Sequence, residues 1–313
     1  MTSATTQAPR AQRGASSSLP PRVVVVTRAT EFDQLLRRHG TPQQAEFFLR
    51  TREQALTPIR DRHERLAAAL QHVMSVVPAS WRKTRVDRGD LDRFLFEPED
   101  VVVALGQDGL VANLAKYLEG QPVVGLNPDR QLFEGVLVPH DPDDAEELLH
   151  AAAGDDAPCE RRSMVAAQLD DGQELLALNE IFVGHRSHQS ARYRIQFGEF
   201  EEQQSSSGLI VSSGTGATGW AKSIARSRAT SLPLPAPCDR SLAFFVREAW
   251  PSVATGASCV EGILDGNDAL EIVSRMDDGG SIFGDGIEAD RVEFGWGRRV
   301  RIHLAQTVLH LVR

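Results

Sequence analysis

Asp100-Val-Val-Val-Ala-Leu105, then Gly106-Gln107-Asp108-Gly109-Leu110, then Val111-Ala-Asn-Leu-Ala-Lys-Tyr-Leu118, and after a short break Pro122-Val-Val-Gly-Leu-Asn127: the fold is decided in this stretch. A continuous apolar run rich in β-branched residues and closed by glycine reads as a strand buried on both faces of a parallel sheet. Leu110, Leu114 and Leu118 recur at helical spacing with Ala115 beside them, and a second apolar run follows Gly120 and Pro122. The stretch is therefore strand, turn, helix, strand. In an open parallel sheet the loops at the carboxyl ends of strands face the ligand crevice, and backbone N–H groups at a helix start attract phosphate. Asp108 lies in that turn. A carboxylate there repels phosphate unless it does chemistry or holds a cation; the plain alternative is that it caps the helix.

Working outward, Arg22 leads into Val23 to Val26, a second fully buried strand, and places Thr27-Arg28 at its carboxyl end, where a phosphate could lie or where Arg28 is simply a surface residue. Ile59, Leu66, Leu70, Val73, Met74 and Val77 share one helical face that stops at Pro78, which makes Met74 a core residue. A short strand is expected from Arg82 to Val86 and a helical turn from Leu91 to Phe96. Asp141-Pro142 with its following acids starts a helix that Gly154 ends. Beyond Gly154 the pattern turns to strands: a hairpin around Asp170-Asp171-Gly172, a longer strand from Leu175 to Val183, and Arg192 to Phe197 in alternation. Gly208 to Ser213 is buried and runs into Gly214-Thr215-Gly216-Ala217-Thr218-Gly219-Trp220, which opens a short helix to Arg226. Further strands are expected over 242–246, 269–275, 291–294, 300–304 and 307–312. The expectation is a disordered tail over 1–20, an α/β domain with a mostly parallel sheet over 21–155, and a β-rich, sandwich-like domain over 156–313.

The chain has 313 residues, 41% hydrophobic and 25% charged, the composition of an ordinary soluble globular protein. Its net charge of −9 argues against general binding of nucleic acid or an anionic membrane, both of which need a basic surface. Cys159, Cys238 and Cys259 lie far apart with no Cys-x-x-Cys, so neither a disulfide framework nor a zinc site is indicated and a reducing cytoplasm fits. There is no apolar run of about 18 residues to span a membrane. Residues 1–20 superficially resemble a transit peptide but lack an amphipathic apolar face. Nine histidines show no His-Glu-x-x-His spacing, which argues against a histidine metal site.

Two glycine-rich turns, each ending a buried strand and opening a helix, carry the functional signal. The first is neither a Walker loop nor the Gly-x-Gly-x-x-Gly fingerprint. Asn179-Glu180 interrupts an apolar segment, and burying an amide and a carboxylate without partners is costly, so the pair faces either a ligand or, in a strand bulge, solvent.

Taken together these residues resemble the NAD kinases. Gly106-Gln107-Asp108-Gly109-Leu110 is similar to the family's Gly-Gly-Asp-Gly-Thr, Gly125-Leu126-Asn127 to its Gly-Ile-Asn, and Asn179-Glu180 to its Asn-Glu pair. Ser213 to Trp220 resembles the Thr-Gly-Thr-Gly, tryptophan-containing block of mitochondrial-type members, with Arg247-Glu248 and Asp285-Gly286 standing where that subgroup has Arg-Glu and Asp-Gly. The resemblance implies transfer of the ATP γ-phosphoryl group to the 2′-hydroxyl of the adenosine ribose of NAD by a Mg2+-dependent cytoplasmic homodimer. It implies that Asp108 is the base and that Gly106, Gln107, Gly109 and Leu110 meet the ATP phosphates. The dinucleotide would be held by Asn127, Asn179 and Glu180, with Thr215, Thr218, Gly219, Trp220 and Ser223 lining its pocket. Gln107 replaces a glycine and Leu110 a threonine; a side chain at Gln107 hinders close backbone approach, and a positive φ there would add roughly 1 kcal/mol of strain. Two other readings stay open: a non-catalytic NAD(P)-binding protein that kept the pocket, and a lipid or other hydroxyl kinase sharing the glycine-aspartate loop.

Overall fold

The computed structural model describes residues 19–154 and 157–313; of the tail read over 1–20, residues 1–18 lie outside the described residues. In chain order, β1 (Arg22–Thr27) leads through α1 (Glu31–His39) and α2 (Pro42–Arg50) to α3 (Thr57–Val76), β2 (Arg82–Asp87), β3 (Asp100–Leu105), α4 (Asp108–Ala115), β4 (Pro122–Leu126) and α5 (Ala145–Ala153). The four strands lie parallel in the order β2-β1-β3-β4. Side chains alternate across a strand, so an all-apolar strand needs cover on both sides. Val23, Val25, Val101 and Val103 join the α3 and α5 residues Val73 and Leu149 in one cluster, while Val24, Val26, Val102 and Ala104 join Leu110, Val111 and Leu114 of α4 in another.

The helices α1 and α2 were not apparent from periodicity. Their start signals are present: Thr30 and Asp33 form a reciprocal cap on α1, and Thr41 with Pro42 opens α2. They pack in a small core of their own with Leu35, Leu49 and Ile59.

The second half contains β5 (Cys159–Leu169), β6 (Glu174–Ala177), β7 (Glu180–His185), β8 (Ala191–Phe197), β9 (Phe200–Ser206) and β10 (Leu209–Ser212). After α6 (Trp220–Arg228) come β11 (Ser241–Val246), β12 (Glu261–Asp265), β13 (Ala269–Ser274), β14 (Gly280–Gly284), β15 (Val292–Glu293) and β16 (Arg299–Val312). The end of β16 continues the parallel order by pairing with β4, and its other stretches pair antiparallel with β5 and β13, which extends the first sheet to ten strands. A separate antiparallel sheet runs β12-β11-β10-β7-β14-β15. Val165, Ile195 and Ile302 of the first sheet and Val183, Val211 and Phe244 of the second meet in one buried cluster, so this half is a sandwich. Among the described residues no helix is long and apolar enough to cross a membrane.

Three local expectations change, the first being the helical turn expected from Leu91 to Phe96, which forms earlier, over Arg88–Arg93, with Phe94 already extended. The separate strands over 300–304 and 307–312 are one strand, with a register shift between Leu304 and Val308 where it bends between its partners. The strand expected over 175–183 is broken: β6 stays with β5, whereas β7 belongs to the other sheet, so the chain changes sheet at Leu178 and Asn179. The polar edge strand β9, the short β12 and the glycine-bounded β14 escaped the apolar pattern altogether.

Candidate active site

Gln107 caps the start of α4 with φ −110° and ψ 164°, extended backbone that any residue adopts, so its side chain brings none of the positive-φ strain considered above. The side chain is exposed, and no atom lies within 4 Å of where a Cβ on Gly109 would stand. Gly106 N–H donates to the Leu126 carbonyl at 2.9 Å, tying the ends of β3 and β4 together. Leu110 turns inward, 4% exposed, into the apolar cluster under α4.

Asp108 does not cap its own helix. Its carboxylate accepts the backbone N–H groups of Leu137 at 2.7 Å, Val136 at 3.1 Å and Val138 at 3.2 Å. Gly125 makes room for the same segment, since a Cβ there would lie 2.1 Å from the Leu137 carbonyl oxygen. Asn127, buried, folds the intervening loop by donating to the Phe133 carbonyl at 3.0 Å and accepting from Asp129 N–H at 3.0 Å. A carboxylate offers about four acceptor positions, so roughly one of Asp108's is left.

Gly106, Gln107, Gly109, Leu110 and Asn127 line a cleft of about 380 Å3 together with Arg28 from the end of β1, Arg62 from α3, Asp129 and Phe133. Arg62 donates to Glu31 at 2.7 Å across its rim. Arg62 lies in a charged stretch of α3 that gives no local sign of a site, and only the fold turns it toward the glycine turn.

The other residues gather around the second turn and do not line this cleft. Asn179 and Glu180, both half-buried, stand where the chain crosses between sheets. Leu178, their neighbour, is buried in the cluster that holds Leu110 and Leu114, so the two motifs meet through one core. The Asn179 carbonyl accepts from Ser213 N–H at 2.8 Å, and a Cβ on Gly216 would lie 2.3 Å from that carbonyl oxygen. Thr215 is buried; Thr218, Gly219 and Ser223 are exposed. Trp220 stacks on Phe182 with centroids 6.1 Å apart and has the Arg247 guanidinium 5.1 Å from its ring. Gly214 and Gly216 are glycines because backbone passes against them: a Cβ on Gly214 would lie 1.8 Å from the Ala236 carbonyl oxygen. Gly214→Ala is therefore expected to cost about 1–3 kcal/mol in urea unfolding. Gly109→Ala should leave stability unchanged and reveal, by any loss of activity, that a ligand approaches there.

Asp285, the acid of the Asp-Gly pair, stands beside the Asn179-Glu180 segment, a role its sequence alone does not signal. With left-handed backbone at φ 53°, it accepts Asn179 N–H at 2.7 Å and Leu178 N–H at 2.9 Å, which locks the Asn-Glu segment in place. Burial pushes the Glu180 carboxyl up to about 7, with the nearby Asp285 adding to it. Burial likewise raises Asp285 to about 6, against the opposing pull of its backbone N–H donors and Lys116. Both groups hold protons more readily folded than unfolded, so the folded state binds extra protons between about pH 4 and 7 and stability falls as pH rises through that window. In Glu180→Gln part of that loss is absent. The variant should gain thermal stability relative to the parent between pH 5 and 8, and a pH-independent difference between the two would contradict the raised carboxyl.

No protein-family model matches the chain. It is 35% identical over 133 residues to the NAD kinase of Methylococcus capsulatus, covering 40% of this chain and 44% of that protein. To NAD kinase 2, mitochondrial, of Rattus norvegicus it is 26% identical over 265 residues, 68% of this chain and 62% of that one. The chain thus spans less than two thirds of the length of these relatives. In fold, it superposes on yeast NADH kinase, solved as a complex with NADH, with a TM-score of 0.59 at 15% identity over 94% of this chain and 84% of the other. The NAD kinase of Archaeoglobus fulgidus, solved with ATP, gives 0.57 at 17% identity over 94% and 93%. The chain has the NAD kinase fold, and the motif resemblance is matched by similarity to NAD kinases in sequence.

Proposed function

We propose that this chain, a relative of the NAD kinases, transfers the γ-phosphoryl group of ATP to the 2′-hydroxyl of the adenosine ribose of NAD to form NADP. The observation that carries the reading is the meeting, through one core, of the Asp108 turn beside an open cleft and the Asn179-Glu180 crossover with its glycine turn. The α/β part, residues 21–155, takes the donor nucleotide in the 380 Å3 cleft. There the first N–H groups of α4 around Gly109 and the side chain of Gln107 meet phosphate, and Arg28 and Arg62 offset its charge. Residues 156–313 hold the dinucleotide through Asn179, Glu180, Thr215, Thr218, Gly219, Trp220 and Ser223, with Asn127 at the junction. Asp108 takes the ribose hydroxyl proton on its remaining acceptor position as the oxygen bonds to phosphorus and ADP departs. Mg2+ would enter on the donor's phosphates, where it neutralises their charge; among the described residues no three His, Cys, Asp or Glu side chains are grouped to cage it. A cytoplasmic homodimer completes the proposal.

The test is purified protein with NAD, ATP and Mg2+, read out as NADP by chromatography. The expected result is NADP that depends on all three. NAD binding without product from ATP or polyphosphate would replace this reading by the non-catalytic one, and phosphorylation of a lipid in place of NAD by the third.

A further inference from the structure

Arg162 lies on β5 with 2% of its surface exposed, the largest of the fully buried side chains. An arginine in the interior needs an anion and a use for all its donors. Its anion is Glu160, whose Oε2 accepts Arg162 Nε at 3.0 Å. The same oxygen accepts Arg313 Nη2 at 2.7 Å. Two guanidiniums thus share one carboxylate oxygen. Arg162 spends another donor, Nη1, on the hydroxyl oxygen of Thr215 at 3.3 Å.

That bond has a directional consequence. Arginine can only donate, so Thr215 Oγ1 is the acceptor and its single O–H is left to donate elsewhere. The Thr215 carbonyl in turn accepts both Thr218 N–H at 3.2 Å and Thr218 Oγ1 at 2.9 Å, so the placement of Thr215 is passed to exposed Thr218. The next residue on β5, Ser163, donates its N–H to the Pro237 carbonyl at 3.1 Å, and the adjoining Ala236 carbonyl is the group against which Gly214 packs. The strand carrying Arg162 therefore braces the turn from two sides.

We propose that Arg162 is a positioning residue for the dinucleotide: held by the carboxylate it shares with Arg313, it sets the Thr215 hydroxyl as a donor and fixes the 213–219 turn in the form that receives the dinucleotide. This rests on the assignment of that turn to NAD binding. It predicts an effect on binding and little on the chemical step, since Arg162 is remote in the chain from Asp108 and acts through Thr215.

The experiment is calorimetric NAD binding and steady-state kinetics on the full chain for Arg162→Lys, Thr215→Val, Thr215→Ser and the Arg162→Lys/Thr215→Val pair, each with its thermal midpoint. Arg162→Lys keeps the charge but loses the fork that serves Glu160 and Thr215 together. The expected result is Kd and KM for NAD raised about 10-fold in Arg162→Lys and in Thr215→Val, kcat within about 2-fold, near-parental behaviour in Thr215→Ser, and no further rise in the pair. Additive losses in the pair, a kcat loss at constant KM, or folded variants with parental affinity would overturn it. Should Arg162→Lys fail to fold, the contrast between Thr215→Ser and Thr215→Val decides: equal affinities in the two overturn the proposal. Absence of NAD binding in the parent itself would overturn both this inference and the function on which it rests, whereas intact parental binding with unaffected variants overturns this inference alone.

Discussion

Asp108→Asn is expected to lower NADP formation by about 100-fold or more while NAD binding changes little, because the substitution removes the proton acceptor and leaves the dinucleotide turn untouched. The geometry adds a second consequence. Three backbone N–H groups, those of Val136, Leu137 and Val138, converge on this carboxylate. Asparagine keeps one carbonyl oxygen and turns an N–H2 group toward the same donors, so at least one loses its acceptor at a cost of about 1–3 kcal/mol. The variant should therefore unfold at lower urea concentration and also be nearly inactive when fully folded. A folded variant with parental turnover would show that Asp108 is only the clamp on the 136–138 segment.

Leu110→Thr is expected to destabilise the chain by roughly 2–5 kcal/mol, although it restores the residue found in the NAD kinase motif. Leu110 lines the cleft wall but is buried in the cluster with Val111 and Leu114, so threonine removes apolar contacts and buries a hydroxyl. Gln107→Gly should be nearly neutral for stability, since glycine is tolerated at a helix N-cap and Gln107 already has relaxed extended backbone. Its effect belongs to turnover: loss of an amide contact to phosphate removes about 1–2 kcal/mol. The double variant should be both slower and less stable than the parent. A silent parent whose Gln107→Gly/Leu110→Thr variant begins to make NADP would reverse this and mark the loop as decayed.

Much of this was legible because the signals are local. Val23 to Val26 and Val101 to Leu105 are apolar at every position, which only a doubly covered strand permits, and the glycines after them mark the turns. Asn179-Glu180 stood out by polarity, and only the structure shows that the strand ends there and the chain changes sheet. The helices α1 and α2 carried ordinary caps in a stretch where charge obscured the apolar face. Arg62 and Asp285 were hidden differently, since a charged helix residue and an Asp-Gly turn look alike whether they face solvent or a site.

The sequence by itself determined the strand-turn-helix units, the parallel class of the first half, the strand-rich second half and the two glycine turns, because periodicity and turn chemistry act over a few neighbouring residues. Tertiary structure alone decided that Asp108 grips Leu137, 29 residues on, that Arg162 reaches Thr215 across 53, and that Asp285 holds Asn179 across 106. Such pairings depend on strand order and register, which are set by how whole faces bury one another, and no local pattern of residues specifies them.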